Sequence, residues 1–202
     1  GFIDRFLISC ESHHIPAVIV FNKADLYGKK EMARFEELRE MYTAIGYTVI
    51  LTSVENGLGL DQVRALLQDK TTLLSGHSGV GKSTLINQLF PQFNLKTQSV
   101  SEWSGKGLHT TTFAEMFDLN ETSRVIDTPG VREFGLVDIT KQELSHYFPE
   151  MLRLLGNCQF NNCMHTNEPG CAVKKEVGIG SVSEDRYVSY LSILETMENK
   201  TN

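Results

Sequence analysis

Eight consecutive residues have the sequence of a loop that binds phosphate groups. Residues 76–83 read Gly-His-Ser-Gly-Val-Gly-Lys-Ser and match the pattern G-x-x-x-x-G-K-[ST] in full. The glycines of such a loop let the backbone turn its N–H groups toward the phosphates, Lys82 reaches the β- and γ-phosphates, and the Ser83 hydroxyl binds magnesium. The expected phosphate-binding residues are Gly76, His77, Ser78, Gly79, Val80, Gly81, Lys82, Ser83 and Thr84, joined by Gly130 later in the chain.

A second motif, Asn-Lys-Ala-Asp at positions 22–25, predicts recognition of guanine. It follows the apolar run 17–21 and so comes at the end of a strand, where open α/β sheets bind ligands. In the GTPase superfamily that the motif resembles, the Asp25 carboxylate would accept hydrogen bonds from guanine N1–H and the 2-amino group. Adenine lacks this pair of donors and would leave the carboxylate unpaired, so an ATPase is the weakest alternative. The expected guanine-binding residues are Asn22, Lys23, Asp25, Ser53 and Val54.

Two further segments predict contacts at the γ-phosphate. Asp-Thr-Pro-Gly at positions 127–130 matches the superfamily pattern DxxG, in which Asp127 would hold magnesium through water and the Gly130 N–H would point at the γ-phosphate. Upstream, the Gly-rich stretch ending in three threonines could supply a second hydroxyl ligand, and we expect Thr111 although the sequence does not decide among the three. The alternative for these threonines is a β-branched strand start. The expected magnesium ligands are Ser83, Thr111 and Asp127.

The residue after DxxG is Val131, where many GTPases carry a glutamine that orients the attacking water. An aliphatic side chain cannot hydrogen-bond water, so hydrolysis requires another positioning group or an outside partner. His109 is the local candidate because it precedes the threonines and because histidine is a common general base. The alternative is a solvent-exposed loop histidine without a role in turnover.

Cysteine and histidine spacing near the C-terminus predicts a metal site. Cys158, Cys163, His165 and Cys171 offer three thiolates and one imidazole within fourteen residues. Tetrahedral zinc needs four such ligands, and a site with all four positions taken is structural. The alternative is a set of free or disulfide-bonded cysteines, which leaves the interposed histidine unexplained. We therefore expect one structural zinc ion, in addition to magnesium bound with GTP.

The order of the motifs and the periodicity of the sequence predict the fold. The guanine motif precedes the phosphate loop, whereas in an ordinary GTPase it follows, so the chain has the order of a circularly permuted GTPase. Alternating strands and helices predict an α/β domain whose mostly parallel sheet has helices on both faces. After residue 135 the strand signals stop, which predicts a GTPase domain over 1–138 and a small helical zinc-binding domain over 139–202. The helices are expected over 30–44, 60–67, 82–89, 142–148, 151–155 and 184–198.

Together these motifs resemble one family. The guanine motif, the phosphate loop, Gly-x-His-Thr-Thr-Thr, Asp-Thr-Pro-Gly with Val-Arg-Glu-Phe, and Cys-x₄-Cys-x-His-x₅-Cys follow in the order of the bacterial small ribosomal subunit-dependent GTPases, the RsgA or YjeQ family. The resemblance implies a GTPase that binds the small ribosomal subunit and its rRNA during late maturation, is stimulated by that subunit and leaves after hydrolysis. It also implies His109 as the catalytic residue, Thr111 as the switch threonine and the four zinc ligands.

The resemblance also implies what lies outside this sequence. Members of the family begin with an oligonucleotide-binding β-barrel and a first strand of the GTPase domain, whereas this sequence opens at Gly1-Phe2, inside that domain.

The composition of the chain bears on two classes of function, nucleic-acid binding and membrane association. The net charge of −6 argues against broad, nonspecific binding of nucleic acid, so any RNA contact would be local. The sequence has no apolar run of membrane-spanning length and no signal peptide, and we expect a cytoplasmic monomer that binds GTP and GDP and no membrane. Two alternatives stay open: a GTP-binding module without turnover of its own, and a zinc-centred RNA-binding protein.

Overall fold

The computed structural model describes residues 1–91, 114–128 and 139–198. Its helices are α1 (Phe2–Ser12), α2 (Lys29–Ile45), α3 (Leu60–Leu67), α4 (Lys82–Leu89), α5 (Pro149–Leu152), α6 (Ala172–Gly178) and α7 (Glu184–Glu198). Its strands are β1 (Val18–Phe21), β2 (Thr48–Leu51), β3 (Thr71–Leu74), β4 (Glu115–Asp118) and β5 (Arg124–Asp127). Short 3₁₀ helices cover Ala24–Leu26, Leu144–Tyr147 and Leu155–Asn157. No described helix combines the length and the apolar character needed to cross a membrane.

The described residues form two compact units. One comprises residues 1–17, 40–47 and 139–198, and the other comprises residues 18–39 and the described part of 48–128. We call the first the metal-ligand unit and the second the phosphate-loop unit, after the motifs that each contains. The expected domain boundary at residue 138 stays a prediction.

Parallel pairing dominates the strands of the phosphate-loop unit. β1 pairs with β2 in parallel, β3 pairs with β5 in parallel, and β4 joins the other edge of β5 in antiparallel orientation. Within the described residues these strands form a two-stranded and a three-stranded hydrogen-bonded sheet. The guanine motif directly follows β1 and the phosphate loop follows β3, so both motifs leave from carboxyl ends of parallel strands, as predicted.

Helices α3 and α4 pack their apolar sides against the strands of the same unit. Both helices repeat aliphatic residues at helical spacing, and this places one side of each in the core. Each large aliphatic side chain that is fully buried stabilises the fold by about 1.5–3 kcal/mol before entropy is counted. The core of this unit comprises Ile50, Leu60, Val63, Leu67, Leu85, Ile86, Leu89, Leu119 and Val125.

The core of the metal-ligand unit contains an ionic cluster. The Arg186 side chain is 1% exposed, and its guanidinium donates to Asp4 Oδ1 at 2.5 Å and to both carboxylate oxygens of Glu150 at 2.7 and 3.2 Å. The guanidinium also lies over the Phe148 ring, 4.6 Å from its centroid. Burial alone would raise the pKa of Asp4, but the neighbouring Arg186 holds that pKa below its ordinary value. The apolar part of this core includes Ile8, Leu144, Phe148, Met151, Val173, Tyr190, Ile193 and Leu194.

The predicted helices between residues 142 and 155 were wrong in type and extent. Leu144–Tyr147 is a 3₁₀ turn, a four-residue α-helix follows at Pro149, and a second 3₁₀ turn begins at Leu155. Proline disfavours a helical conformation in the residue before it, and Phe148 is extended at φ −111° and ψ 100°. The proline therefore ends one turn and starts the next. Helix α6 was not predicted, whereas α2, α3, α4 and α7 agree with the expected segments within one residue at each end.

Candidate functional site

The guanine motif and the phosphate loop are in direct contact. Asn22 Nδ2 donates to the carbonyl of Val80 at 3.0 Å, and Lys23 Nζ donates to the carbonyl of Gly79 at 2.7 Å. The two motifs are more than fifty positions apart in sequence, and the guanine motif comes first. The reversed order therefore yields one continuous site within the phosphate-loop unit.

The ends of β1 and β2 hold the guanine motif in place. The Thr52 N–H donates to the Phe21 carbonyl at 2.7 Å, and the Ala24 N–H donates to the Thr52 carbonyl at 3.0 Å. The Thr52 hydroxyl also donates to Asn22 Oδ1 at 2.9 Å, which leaves the amide of Asn22 directed at the phosphate loop. Lys23 takes a left-handed conformation at φ +66° and begins the 3₁₀ turn. Sequence reasoning missed the role of Thr52, because a threonine at a strand end carries no pattern of its own.

Asp25 offers an exposed carboxylate oriented by a buried hydroxyl. Ser53 is completely buried, and its hydroxyl donates to Asp25 Oδ1 at 2.5 Å. A hydrogen bond also restrains the backbone of Ser53, whose N–H donates to the Leu58 carbonyl at 3.1 Å. One carboxylate oxygen is thus fixed and the exposed side chain faces solvent, which suits a group that accepts hydrogen bonds from a base. Val54 follows directly and is half-buried.

The glycines of the phosphate loop are required by conformation and by space. Gly79 and Gly81 have φ values of +82° and +96°, in the left-handed region that other residues rarely adopt. A Cβ atom at Gly81 would lie 2.5 Å from Asn22 Nδ2, whereas one at Gly79 would meet nothing within 4 Å. The close approach of the two motifs therefore depends on Gly81 in particular.

Helix α4 begins at the end of the phosphate loop. The Lys82 ammonium donates to the carbonyl of Gly76 at 2.8 Å, so its charge lies over the loop. Ser83 and Thr84 occupy the first turn of the helix, where free backbone N–H groups and the helix dipole favour an anion. His77, Ser78, Gly79 and Val80 are exposed, and Gly76 is buried. The arrangement can hold a polyphosphate.

Asp127 ends β5 opposite Leu74, the last residue of β3 before the phosphate loop. Its Oδ1 atom is buried and has no hydrogen-bond partner among the described residues. Burial raises the pKa of Asp127 above its ordinary value, while the positive charge of Lys82 opposes the increase. Thr128 is anchored beside it, because its hydroxyl donates to the Leu74 carbonyl at 2.9 Å. A carboxylate held in this position can bind a divalent cation.

Three predicted site residues lie outside the described part of the chain. These are the catalytic candidate His109, the switch candidate Thr111 and the glycine of DxxG, Gly130.

The four predicted metal ligands come together in the metal-ligand unit. The Sγ atoms of Cys158, Cys163 and Cys171 and one ring nitrogen of His165 all lie within 4.8 Å of one another. His165 Nδ1 is 3.4 Å from Cys171 Sγ and 3.7 Å from Cys158 Sγ. Donor atoms around tetrahedral zinc are roughly 3.4–3.8 Å apart, and both distances from His165 Nδ1 fall in this range, which fits a metal ion.

Electrostatics and backbone contacts further define the ligand cluster. Burial raises the pKa of the Cys163 thiol to about 12 and lowers the pKa of the His165 imidazole, so burial favours the neutral forms. The thiol of Cys158 accepts the N–H of Ala172 at 3.4 Å, and the thiol of Cys171 accepts the N–H of Lys174 at 3.4 Å. Helix α6 therefore begins at the cluster.

Residues that are not ligands support the loop around His165. His165 has a left-handed φ of +58°, which costs a residue with a side chain about 1–2 kcal/mol. Glu168 accepts N–H groups from the loop, and the hydroxyls of Tyr187 and Tyr190 donate to loop carbonyls. Burial alone would raise the pKa of Glu168, but the N–H groups of Met164 and Thr166 hold it below its ordinary value. Sequence reasoning missed these three residues as supports of the metal-ligand loop.

A family model described as RsgA GTPase matches residues 1–137, about two thirds of the chain. This chain belongs to the RsgA GTPase family. Two similar RsgA proteins, each named small ribosomal subunit biogenesis GTPase RsgA, come from Cytophaga hutchinsonii and Bacteroides fragilis. The first is 60% identical over 96% of this chain, and the second is 49% identical over 98%. The match spans 63% and 64% of those two proteins, respectively.

Solved structures of RsgA relatives have the same fold. YjeQ from Thermotoga maritima superposes with a TM-score of 0.79 at 34% identity, covering 96% of this chain and 64% of that one. YloQ, described as a circularly permuted GTPase, superposes with a TM-score of 0.77 at 31% identity, covering 98% of this chain and 63% of that one. The predicted α/β fold with permuted motif order is thereby confirmed.

Proposed function

We propose that this chain binds guanine nucleotides and hydrolyses GTP, and that it acts in late maturation of the small ribosomal subunit. The observation that carries the proposal is the contact of Asn22 and Lys23 with the carbonyls of Val80 and Gly79, which joins the guanine motif to the phosphate loop. The family of the chain and the shared name of its relatives support the activity and the partner.

The base would be read by Asp25. Its exposed carboxylate, oriented by the Ser53 hydroxyl, suits the two adjacent donors of guanine. The Lys23 stem would lie over the base, and the backbone of Ser53 and Val54 would offer an N–H to guanine O6. Adenine would leave Asp25 without donors, which costs about 1–3 kcal/mol or more for a charged group.

The phosphates would lie against the loop and the first turn of α4. Lys82, the loop N–H groups and the residues Ser83 and Thr84 would bind them, with Gly130 at the γ-phosphate. Magnesium would be held by Ser83, Thr111 and Asp127, and the buried Asp127 Oδ1 atom without a described partner fits this role. When bound, the ion would offset negative charge on the phosphates.

Hydrolysis would depend on His109. Val131 cannot orient water, and an imidazole can both accept a proton and hold a water molecule. Changing His109 to Ala should lower turnover by about 100-fold or more while GTP affinity stays within twofold. Unchanged turnover in that variant would remove His109 from the mechanism.

The cysteine and histidine cluster would bind one structural zinc ion. Three thiols and one imidazole leave no position open for a substrate, so the ion would crosslink the loop. We further propose a GTPase domain over 1–138 and a metal-binding domain over 139–202, which agrees with the end of the family match at 137. The chain would act as a monomer in the cytoplasm, where ribosomal subunits mature.

Guanine recognition is tested by Asp25→Asn. Losing a charged acceptor should weaken GTP binding by roughly 10- to 150-fold, and binding of xanthosine triphosphate should improve because its 2-oxo group accepts from the amide. The matched control is Asp61→Asn, an exposed aspartate in the first turn of α3, which should leave both affinities unchanged. Equal GTP affinity in the two variants would contradict the proposed base contact.

Turnover with ribosomal subunits tests the partner. GTP hydrolysis by this chain is measured alone, with purified small subunits and with large subunits, using Lys82→Ala as the inactive variant and Lys29→Ala as its matched control. We expect stimulation by small subunits only, lost in Lys82→Ala and kept in Lys29→Ala. Tight GTP binding without turnover under all these conditions would instead favour the GTP-binding module.

A further inference from the structure

The loop that carries His165 is held from both sides by side chains that are not metal ligands. On one side, the carboxylate of Glu168 accepts two backbone N–H groups. Oε1 accepts from Met164 at 2.7 Å and Oε2 from Thr166 at 2.9 Å. These two residues flank His165 directly, so one carboxylate bridges the ligand position.

The other side of the loop is held by helix α7. The Tyr187 hydroxyl donates to the carbonyl of His165 at 2.6 Å, and the Tyr190 hydroxyl donates to the carbonyl of Met164 at 2.7 Å. The rings of Tyr187 and Tyr190 stack with an interplanar angle of 18°, and Tyr190 is fully buried. The helix therefore presents two aligned hydroxyls to consecutive carbonyls of the loop.

These contacts account for an unfavourable backbone conformation. His165 has a φ of +58°, and a non-glycine residue persists in this region only where its surroundings fix it. In this conformation Nδ1 lies among the Sγ atoms of Cys158 and Cys171. A His165 that relaxed to a common backbone conformation would redirect its ring.

We propose that Glu168 and Tyr187 are positioning residues that fix His165 for metal binding. The inference deepens the proposed zinc site and rests on it. Glu168 restrains the N–H groups on both sides of His165, and Tyr187 restrains its carbonyl, so the imidazole is directed at the thiols before an ion binds. Outer-shell groups of this kind typically change metal affinity by 10- to 100-fold when they are removed.

Glu168→Gln tests the first of the two residues. An amide offers one oxygen, so it can accept one of the two N–H groups and its NH₂ group opposes the other. We expect zinc to leave the folded variant about 10- to 100-fold faster than the wild-type chain, measured with a chromogenic chelator in excess. The matched control is Glu184→Gln, which removes the same charge at an exposed position in the first turn of α7 and should release zinc at the wild-type rate.

Tyr187→Phe is an independent test that keeps the ring and removes only the hydroxyl. It should also release zinc about tenfold faster, and it remains informative if Glu168→Gln does not fold. The absorption spectrum of the cobalt-substituted proteins gives a second readout. The wild type should show a three-sulfur, one-nitrogen ligand field, and weaker positioning of His165 should shift the visible bands.

The outcomes separate this inference from the metal proposal. Faster release in the variants, with a wild-type rate in the control, supports it. Wild-type release rates and cobalt spectra in the variants that fold would overturn the role of Glu168 and Tyr187 while the zinc site stands. A wild-type chain that binds neither zinc nor cobalt would overturn both.

Discussion

The two units position their functional groups in different ways. In the metal-ligand unit, the residues that fix the loop are separate from the ligands: Glu168, Tyr187 and Tyr190 hold the backbone around His165. In the phosphate-loop unit, the side chains predicted to contact the nucleotide also brace the loop, since Asn22 and Lys23 bond to its carbonyls. Support and metal binding are thus divided around His165, whereas Asn22 and Lys23 combine support of the phosphate loop with the predicted recognition of nucleotide.

This difference determines what a substitution can reveal. Where support and recognition are separate, a variant can loosen a site while leaving its ligands intact. Where they are combined, a single change alters both the loop and its contacts with nucleotide, and a lost activity does not identify the cause. Matched pairs of variants are therefore most needed in the phosphate-loop unit.

The largest expected effect is the removal of metal from the metal-ligand unit. Four ligands within a short loop should contribute at least about 5 kcal/mol to folding, because metal binding to such small sites is strongly coupled to folding. A strong chelator should lower the melting temperature by roughly 10–20 °C in a chain of this size. The measurement is thermal unfolding by circular dichroism with and without the chelator.

Paired cysteine variants control for the chelator experiment. Cys158→Ala should lower the melting temperature in the absence of chelator as much as the chelator lowers that of the wild type. Cys10 is a buried cysteine outside the cluster, and Cys10→Ala should respond to the chelator as the wild type does. A melting temperature that is insensitive to chelation would contradict a structural metal.

Substitution of Arg186 should have the next largest effect. Arg186→Met leaves the buried carboxylates of Asp4 and Glu150 without their common partner, which typically costs 3–5 kcal/mol. The measurement is urea unfolding of the zinc-saturated chain. Arg34→Met, which removes an exposed pair with Glu37, should change stability by less than about 0.5 kcal/mol. A cost below about 1 kcal/mol for Arg186→Met would mean that the buried cluster does not hold this unit together.

Much of the site could be predicted because its chemistry depends on local sequence. The phosphate loop, the guanine motif and the four metal ligands are each short patterns whose residue types predict what they bind, and the structure brings the two motifs into contact and gathers the four ligand atoms. The apolar faces of α3, α4 and α7 could likewise be read from helical spacing.

The remainder depends on contacts between distant segments, which no local pattern records. Thr52, Glu168 and Arg186 acquire their roles only from partners brought close by folding. Helix α6 is only seven residues long and begins at Cys171, whose thiol accepts the Lys174 N–H as a cap. The sequence therefore predicted Cys171 as a metal ligand but not as the cap of α6.

A pair of glycine variants sharpens the comparison in the phosphate-loop unit. Gly79→Ala should cost about 1 kcal/mol through its left-handed backbone conformation alone, because a Cβ there meets nothing within 4 Å. Gly81→Ala should cost at least about 1 kcal/mol more, since its Cβ would displace Asn22. The measurement is urea unfolding of the nucleotide-free chain. Equal costs would indicate that the contact of Asn22 with the loop contributes little to stability.

The smallest expected effect is a gain in stability, whereas the preceding variants lose stability. Asp127→Asn should stabilise the nucleotide-free chain by less than about 1 kcal/mol at pH 7, because it removes a half-buried charge whose partial exposure to solvent keeps the gain small. At the same time it should weaken magnesium-dependent nucleotide binding. The measurement is thermal unfolding with zinc present and magnesium absent, and a less stable variant would contradict the prediction.

The stabilisation by Asp127→Asn should depend on pH in a defined direction. Burial raises the pKa of Asp127 in the folded state above 3.8, so the wild type loses stability as pH rises from that value through the raised pKa. The gain from asparagine should therefore be smallest near pH 4, grow through this window and level off above it. The control is Asp61→Asn, whose exposed carboxylate should produce no such gain.

The separation of bonded partners along the chain differs between the metal-binding loop and the strands beside the phosphate loop. The bond from Thr128 to the Leu74 carbonyl, at the paired ends of β5 and β3, joins residues 54 positions apart. The bond from Ala172 to the Cys158 thiol joins residues only 14 positions apart. A fourfold longer loop costs roughly 1.2 kcal/mol more in chain entropy. The metal-binding loop can therefore form early, because its partners are close in sequence. The parallel strands beside the phosphate loop pair only after two distant segments of the chain have met.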